Sequence, residues 1–268
     1  MINEEIKYLV FDIESVPDGK LIKKVKYAGM EITEKEAIAK YQEEILTNSD
    51  GQTFFIPVTF QYPVSVCVAF IKEDFSLSDI KLLDEPEYRT AVIVKSFWDM
   101  AEFSHKEASL VTFNGRGFDI PLMELMAFRY GYTIKRHMKD KFGSRYRFGT
   151  KHIDLHDWLS NFNAIRMNGG LNLLAKTLGK PGKMEAKGDE VYDMFTAGKL
   201  KEINDYCTHD VLDTYFVFLR TRVLLGELSI DREQKLVKST LEFLKANAEK
   251  RPAFGIYLKC CGECNPWP

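Results

Sequence analysis

The sequence predicts an α/β fold in which strand segments alternate with helical segments. Residues 6–13 are almost continuously apolar, which is typical of a central strand covered on both faces. Residues 64–71 and the stretch from Asp79 also have strand character, and the short polar turn between them predicts a hairpin. Residues 91–103 then carry apolar side chains at helical spacing, which completes the alternation.

The composition indicates one domain with insertions, spanning residues 1–250. The chain has 268 residues and is 45% hydrophobic, which is enough for one sizeable core. Its formal net charge of −2 gives no overall attraction to nucleic acid. A nucleic-acid partner would therefore have to be held by a local basic patch or through metal ions.

Neither the start of the sequence nor its cysteines indicate export or a membrane. We find no charged and apolar leader and no apolar run near the ~20 residues that cross a bilayer, so we expect a soluble, cytoplasmic protein. The five cysteines do not form an extracellular disulfide pattern, since Cys260, Cys261 and Cys264 crowd at one end. We expect reduced thiols in an irregular tail over residues 251–268, because Cys261 and Cys264 make at most half of a zinc site.

The remaining elements follow from local signals along the chain. Residues 18–60 depart from the strand pattern, and Thr33 with Glu36 makes a capping box, so this segment is predicted to be a helical insertion or lid. Further signals predict a strand at 109–115, a helix from Pro121, a short edge strand at His152, and helices at 169–179, 199–226 and 231–249.

Two acids follow the apolar part of the first strand. Asp12 and Glu14 are two apart, so on a strand they project from the same face. Two carboxylates together suit a hard cation such as Mg²⁺ or Mn²⁺. Solvated acids at a strand end would give the same pattern.

A third acid, Asp119, follows a glycine-rich turn. It stands directly before the helix that starts at Pro121, where an N-cap aspartate is the structural explanation. That explanation leaves Asn114, Gly115 and Gly117 unaccounted for, and these residues suggest close approach of the backbone to a ligand.

The fourth acid lies on a late helix. Tyr206 and Asp210 are four residues apart and are therefore neighbours on one helix face, at the edge of a mostly apolar stripe. Asp213 shares that edge and is the rival candidate. Polar residues beside a buried stripe are common, so this pair alone is a weak signal.

Together, the three motifs resemble those of the DEDD exonucleases of the RNase H-like fold. The family's Asp-x-Glu, Asn-x-x-x-Phe-Asp and Tyr-x-x-x-Asp motifs match Asp12 to Glu14, Asn114 to Asp119 and Tyr206 to Asp210. The tyrosine marks the tyrosine subclass. Over residues 6–225 the chain is most similar to bacterial proteins predicted as 3′-5′ exonucleases related to the proofreading domain of family B DNA polymerases.

The resemblance implies a mixed five-stranded sheet flanked by helices, with C-terminal helices, in a free-standing nuclease domain. It also implies phosphodiester hydrolysis with two divalent cations, Mg²⁺ or Mn²⁺, and no small-molecule cofactor. The implied ligands are Asp12, Glu14, Asp119 and Asp210, with Asp12 bridging the cations. A phenol has a pKa near ~10, so Tyr206 is expected to orient water rather than act as a base.

Substrate binding is predicted in the basic and aromatic stretch 135–151. Cations that follow phosphates and rings that stack on bases suit a single strand of nucleic acid. A charged, exposed hairpin would have the same composition. The residues predicted to contact nucleic acid are Asn114, Gly115, Arg116, Phe118, Arg145, Tyr146, Arg147 and Phe148.

Three functions remain open from the sequence. The first is a metal-dependent 3′-5′ exonuclease on single-stranded DNA that releases nucleoside monophosphates. The second is an exoribonuclease resembling ribonuclease D, since no motif identifies a contact to a 2′-hydroxyl. The third, a module that binds nucleic acid without cutting it, is disfavoured because all four acids are present.

Overall fold

A computed structural model describes residues 6–184 and 190–262, and its five strands form one mixed sheet in the order β3-β2-β1-β4-β5. The central strand β1 is antiparallel to β2 and parallel to β4. This confirms the predicted fold class and the predicted hairpin of β2 and β3. The strands are β1 Ile6–Pro17, β2 Gln61–Lys72, β3 Leu77–Leu82, β4 Ser109–Thr112 and β5 His152–Asp154.

Helices cover both faces of this sheet. Their order along the chain is the one that the sequence predicts, with short additions. The helices are α1 Gly19–Lys26, α2 Glu34–Asn48, α3 Thr90–Asp99, α4 Asp119–Tyr130, α5 Lys135–Lys139, α6 Leu155–Leu159, α7 Gly170–Thr177, α8 Val191–Thr196, α9 Leu200–Leu224, α10 Ile230–Asn247 and α11 Pro252–Cys260. None of these described helices combines the length and the apolar character needed to cross a membrane.

The central strand contributes to two separate hydrophobic clusters. Val10 belongs to the cluster on the α9 side, whereas Leu9 and Phe11 belong to the cluster formed with α3 and α4. Successive side chains of a strand point to opposite faces, so both faces of β1 must be apolar. This burial on both faces explains the nearly continuous apolar run.

The parallel strands β1 and β4 differ in length, and this leaves the second half of β1 unpaired on one side. The pairing of β1 with β4 extends only from Tyr8 to Val10, because β4 ends at Thr112. On its other side β1 stays paired with β2 as far as Pro17. Asp12 and Glu14 lie in the part of β1 that continues past the end of β4, so they stand outside the carboxyl end of that neighbouring strand, where ligands of open α/β sheets bind.

The insertion at 18–60 forms two helices with a small core of their own. Ile22, Ala37, Ile38 and Ile56 are buried together. The predicted capping box is present, with the Thr33 side chain and the Glu36 side chain each accepting a backbone N–H of the other residue.

Two local predictions are wrong. Asp119 is not the N-cap of α4, because the helix begins at Asp119 and Phe118 occupies the cap position. The tail is not irregular between Pro252 and Cys260, where α11 forms with proline in its first turn and buries its aromatic side chains. Cys260 and Cys261 are free thiols, and Cys264 lies outside the described residues.

Candidate active site

Three carboxylates from two elements meet at the carboxyl-terminal half of β1, beyond the end of β4. Asp12 and Glu14 come from the strand and Asp210 from α9, and one oxygen of each lies within 4.8 Å of the others. Within residues 6–184 and 190–262, this is the one group of three or more side chains with metal-ligand geometry. Helix α9 packs on β1 and so brings residues about 200 positions apart into contact: the Cys207 thiol donates to the Asp12 carbonyl at 3.3 Å.

The fourth predicted acid approaches the same strand end from α4. The carboxylates of Asp119 and Asp12 both accept a hydrogen bond from the backbone N–H of Ile13. The charge of Asp119 also raises the pKa values of Asp12 and Glu14. Asp119 lies outside the 4.8 Å group and beside it, and we call the four carboxylates the acid cluster.

Burial raises the pKa values of all four acids, and other carboxylates of the cluster add to the shifts of Asp12 and Glu14. The pKa values of Asp12 and Glu14 lie well above their ordinary values, first through burial and then through neighbouring carboxylates. Burial raises the pKa of Asp119 to about 7 and that of Asp210 to about 6, with Lys183 opposing the shift of Asp210. Clustered oxygen ligands that repel one another are a donor set that Mg²⁺ or Mn²⁺ would stabilise.

Tyr206 extends the acid cluster along α9. It lies one turn before Asp210, and a hydrogen bond between the two side chains lowers the pKa of Asp210. Burial, followed by the charges of Asp210 and Glu14, holds the pKa of Tyr206 above its ordinary value. The phenol therefore keeps its proton at neutral pH and is suited to orient a polar group, not to remove a proton.

Asp213, the rival of Asp210, has a different environment. The Oδ1 of its carboxylate accepts a hydrogen bond of 2.6 Å from the Tyr257 hydroxyl on α11. Its side chain is fully buried and does not belong to the 4.8 Å carboxylate group. The structure thus brings Asp210, and not Asp213, to the end of β1.

The turn before Asp119 is shaped by contacts within the protein. Asn114 has a left-handed conformation with φ of 64°. A Cβ at Gly115 would lie 2.5 Å from the Thr112 Oγ1, so packing against Thr112 accounts for this glycine. The inference of close approach to a ligand is therefore not needed at Gly115.

Asp154 holds this turn in place, and sequence reasoning missed it. Its carboxylate accepts the backbone N–H groups of Asn114 at 2.9 Å and Arg116 at 2.8 Å, and it also caps α6. Its charge contributes to the raised pKa of Asp119. The available signal was an aspartate directly before a short helix, which is the N-cap pattern. Sequence reasoning also missed Lys183, whose positive charge lowers the pKa values of Asp210 and Glu14.

The residues predicted to contact nucleic acid fall into separate groups. Arg116, Arg147 and Phe148 line one cavity of about 260 Å³ beside β5, together with Trp158 and Phe162. Tyr146 adjoins this cavity through its ring contact with Phe148, and Phe118 contacts Phe55 of the insertion. Arg145 pairs with Glu124 on α4. We call the cavity beside β5 the aromatic groove.

Much of the positive charge in 135–151 is paired with acidic side chains of the same chain. Four of its seven basic side chains form ion pairs with acids, namely Arg136 and Lys151 with Glu107, Arg145 with Glu124, and Arg147 with Asp157. Arg147 also lies over the Phe162 ring at 5.1 Å. The segment contains the short helix α5 followed by turns, and the alternative of a hairpin is wrong for it.

A mixed five-stranded sheet flanked by helices, with acids in the second half of its central strand, is consistent with the fold of the RNase H-like exonucleases. A family model described as predicted 3′-5′ exonucleases related to the exonuclease domain of PolB matches residues 53–261. The chain therefore belongs to this family. Asp119, Tyr206 and Asp210 lie within the matched residues, whereas Asp12 and Glu14 precede them and are brought to the site by the fold.

A solved structure shows the same fold at low sequence identity. The family B DNA polymerase from the hyperthermophilic archaeon Pyrobaculum calidifontis aligns with a TM-score of 0.51 and 14% identity. The alignment covers 81% of this chain and 24% of the polymerase chain, so this chain spans about a quarter of the polymerase's length. No curated protein matches the sequence.

Proposed function

We propose that the chain is a divalent-metal-dependent 3′-5′ exonuclease of the DEDD tyrosine subclass. Its substrate would be the 3′ end of single-stranded DNA, and its products would be nucleoside monophosphates. The observation that carries this proposal is the convergence of Asp12, Glu14, Asp119 and Asp210 from three elements, with Tyr206 hydrogen bonded to the last of them.

The acid cluster would hold two divalent cations. Bound there, such cations neutralise the charge that develops on the phosphate, activate water and stabilise the leaving 3′ oxygen. The chain's own residues provide the anionic cradle and its orientation. The Asp12 and Asp119 carboxylates are fixed by the Ile13 N–H, and Tyr206, which stays protonated, would orient the attacking water by hydrogen bonding.

The substrate class is supported by the aromatic groove. Phe148 is 68% exposed, and together with Tyr146, Trp158 and Phe162 it offers rings on which unpaired bases can stack. Arg116 and Arg147 supply donors beside those rings, although both pair with Asp157. A groove of rings with balanced charge suits single strands with exposed bases rather than the backbone of a duplex.

The deciding experiment incubates the protein with 5′-labelled single-stranded DNA and RNA of one sequence, in Mg²⁺, Mn²⁺ or EDTA. We expect a ladder that shortens from the 3′ end in either metal and intact substrate in EDTA, with DNA cut faster. Preference for RNA would favour the exoribonuclease instead.

The controls are two aspartate-to-asparagine variants. Asp12→Asn should abolish the ladder, whereas Asp231→Asn, on the exposed first turn of α10, should not change it. An unchanged ladder from Asp12→Asn, or no cleavage of either polymer by the unmodified protein, would contradict the proposal.

A further inference from the structure

The insertion at 18–60 places an aromatic ring against the residue that precedes Asp119. Phe55 is 54% exposed, and its ring centroid lies 5.8 Å from that of Phe118. Phe118 directly precedes Asp119, so the two rings form a pair one residue away from a carboxylate of the cluster. Phe55 lies outside the three acid-bearing motifs, although it falls within residues 53–261, which the family model matches.

A second connection ties the residue after Phe55 to β1. Ile56, which follows Phe55, is buried, and its carbonyl accepts a hydrogen bond of 2.5 Å from the Gln61 side chain. The Gln61 side chain in turn accepts a hydrogen bond of 2.5 Å from the Ser15 hydroxyl. Ser15 is adjacent to Glu14, so the position of Phe55 is fixed with respect to both β1 and α4.

The surroundings of Phe55 indicate what could bind to it. Residues 51–58 contain no charged side chain, so this part of the insertion cannot neutralise a phosphate. An exposed ring held in place by its neighbours loses little conformational freedom on binding and presents a face to another flat, neutral group. A nucleobase is such a group, and every base offers a π-face.

We propose that Phe55 and Phe118 form a stacking platform for a base near the 3′ end of a single-stranded nucleic acid. This assigns a substrate-binding role to the insertion, which contributes Phe55 while β1, α4 and α9 contribute the acids. The inference rests on the proposed function, because it needs a strand whose end lies in the acid cluster. It places the bound base on the insertion side, away from the aromatic groove beside β5.

Binding without cleavage tests the platform directly. In an Asp12→Asn background, fluorescence anisotropy measures the affinity for a labelled single-stranded DNA of twelve nucleotides. Since base stacking is worth ~1–3 kcal/mol per base, Phe55→Ala should weaken binding by roughly 5- to 150-fold. Phe55→Trp keeps a stacking ring and should restore affinity to within about threefold.

The adjacent residue supplies a matched control. Phe54 is 44% exposed, and Phe54→Ala should change affinity by less than about twofold. Equal losses from Phe54→Ala and Phe55→Ala would overturn the platform, because they would indicate general damage to the insertion or a nonspecific apolar surface. Circular dichroism melting of each variant identifies any loss that comes from unfolding of the insertion.

Abasic substrates separate stacking from an indirect effect on Asp119. Four substrates each lack the base at one of the four 3′-terminal positions. For one of these substrates, the proteins with Phe55 and with Phe55→Ala should bind with equal affinity, because the ring and the missing base are the two partners of one contact. A defect of equal size on every abasic substrate would overturn the inference. If the unmodified protein neither binds nor cuts, the proposed function fails; if it cuts and Phe55→Ala is unaffected, only the platform fails.

Discussion

Asp210 and Asp213 lie one turn apart on α9 and differ in what surrounds them. Burial raises the pKa of both carboxyls, to about 6 for Asp210 and about 7 for Asp213. Asp210 faces the acids of β1, whereas Asp213 faces α11 and accepts a hydrogen bond from Tyr257. A raised pKa therefore reports burial in both, and the arrangement of neighbouring oxygens is what distinguishes the candidate metal ligand.

Each aspartate is paired with a tyrosine, and the two pairs differ in their surroundings. Tyr206 and Asp210 lie beside other carboxylates and a strand end that is open on one side. Tyr257 and Asp213 join two helices inside the core, where the hydroxyl donates a hydrogen bond to one oxygen of a buried acid. The comparison indicates that the first pair is available for chemistry and the second stabilises the fold.

The largest difference is expected when each aspartate is replaced by asparagine. Asp210→Asn removes a charged ligand and should lower the rate of 3′-end cleavage by about 10³-fold or more, since metal-assisted charge stabilisation is worth several kcal/mol. Asp213→Asn keeps an acceptor for Tyr257 and should stay within about tenfold of the unmodified protein. Single-turnover rates in Mg²⁺ measure both, and equal loss from two folded variants would contradict the assignment.

The two tyrosines provide the next test. Tyr206→Phe removes the hydroxyl that would orient water and should lower kcat about 10- to 100-fold with KM nearly unchanged. Tyr257→Phe leaves a buried acid short of one donor and should instead lower the free energy of unfolding by ~1–3 kcal/mol while kcat is preserved. Steady-state kinetics and urea denaturation separate these outcomes. A Tyr257→Phe variant that loses kcat without losing stability would contradict the structural role assigned to Tyr257.

The choice between Asp210 and Asp213 shows where sequence reasoning stops. The strands and the hairpin of β2 and β3 were predictable because hydrophobic alternation and turns are local signals. Tyr257 lies 44 residues beyond Asp213, in a segment whose composition suggested an irregular tail, so its hydrogen bond could not be foreseen.

The candidate site also has a part that the sequence predicts and a part that it does not. The four acids and Tyr206 stand in recognisable motifs, and the structure places them together at the end of β1. The contact of Phe55 with Phe118 joins residues 63 positions apart, and the bonds from Asp154 to the turn at Asn114 span 40. Such contacts depend on how the elements pack, which local patterns do not specify.

Stabilisation of the protein by metal should require Asp210 and not Asp213. A cation relieves repulsion in the acid cluster, and at a free concentration of ten times Kd it contributes RT ln 11, or ~1.4 kcal/mol, to the free energy of unfolding. For a chain of this size that corresponds to a rise in Tm of about 3–6 °C. Differential scanning fluorimetry with Mg²⁺ or Mn²⁺ should show this rise for Asp213→Asn and not for Asp210→Asn. An unchanged melting curve of the unmodified protein would count against a metal site.

Stability should also depend on pH, and metal should affect this dependence differently in the two regions. A carboxyl whose pKa is raised on folding binds more protons in the folded than in the unfolded state, so its contribution to stability is lost as pH rises. For Asp213 the loss runs from near ~4, the unfolded pKa, to about 7. Its slope cannot exceed ~1.4 kcal/mol per pH unit for one group.

The difference in unfolding free energy between Asp213→Asn and the unmodified protein isolates this term, measured by urea denaturation from pH 5 to 8. Because Asp213 lies outside the carboxylate group that would hold metal, saturating Mg²⁺ should leave this difference unchanged. The corresponding difference for Asp210→Asn should change when Mg²⁺ is added, since a cation removes the repulsion that contributes to the pH dependence of the acid cluster. A difference for Asp213→Asn that disappears in Mg²⁺ would instead place that carboxylate in the metal site.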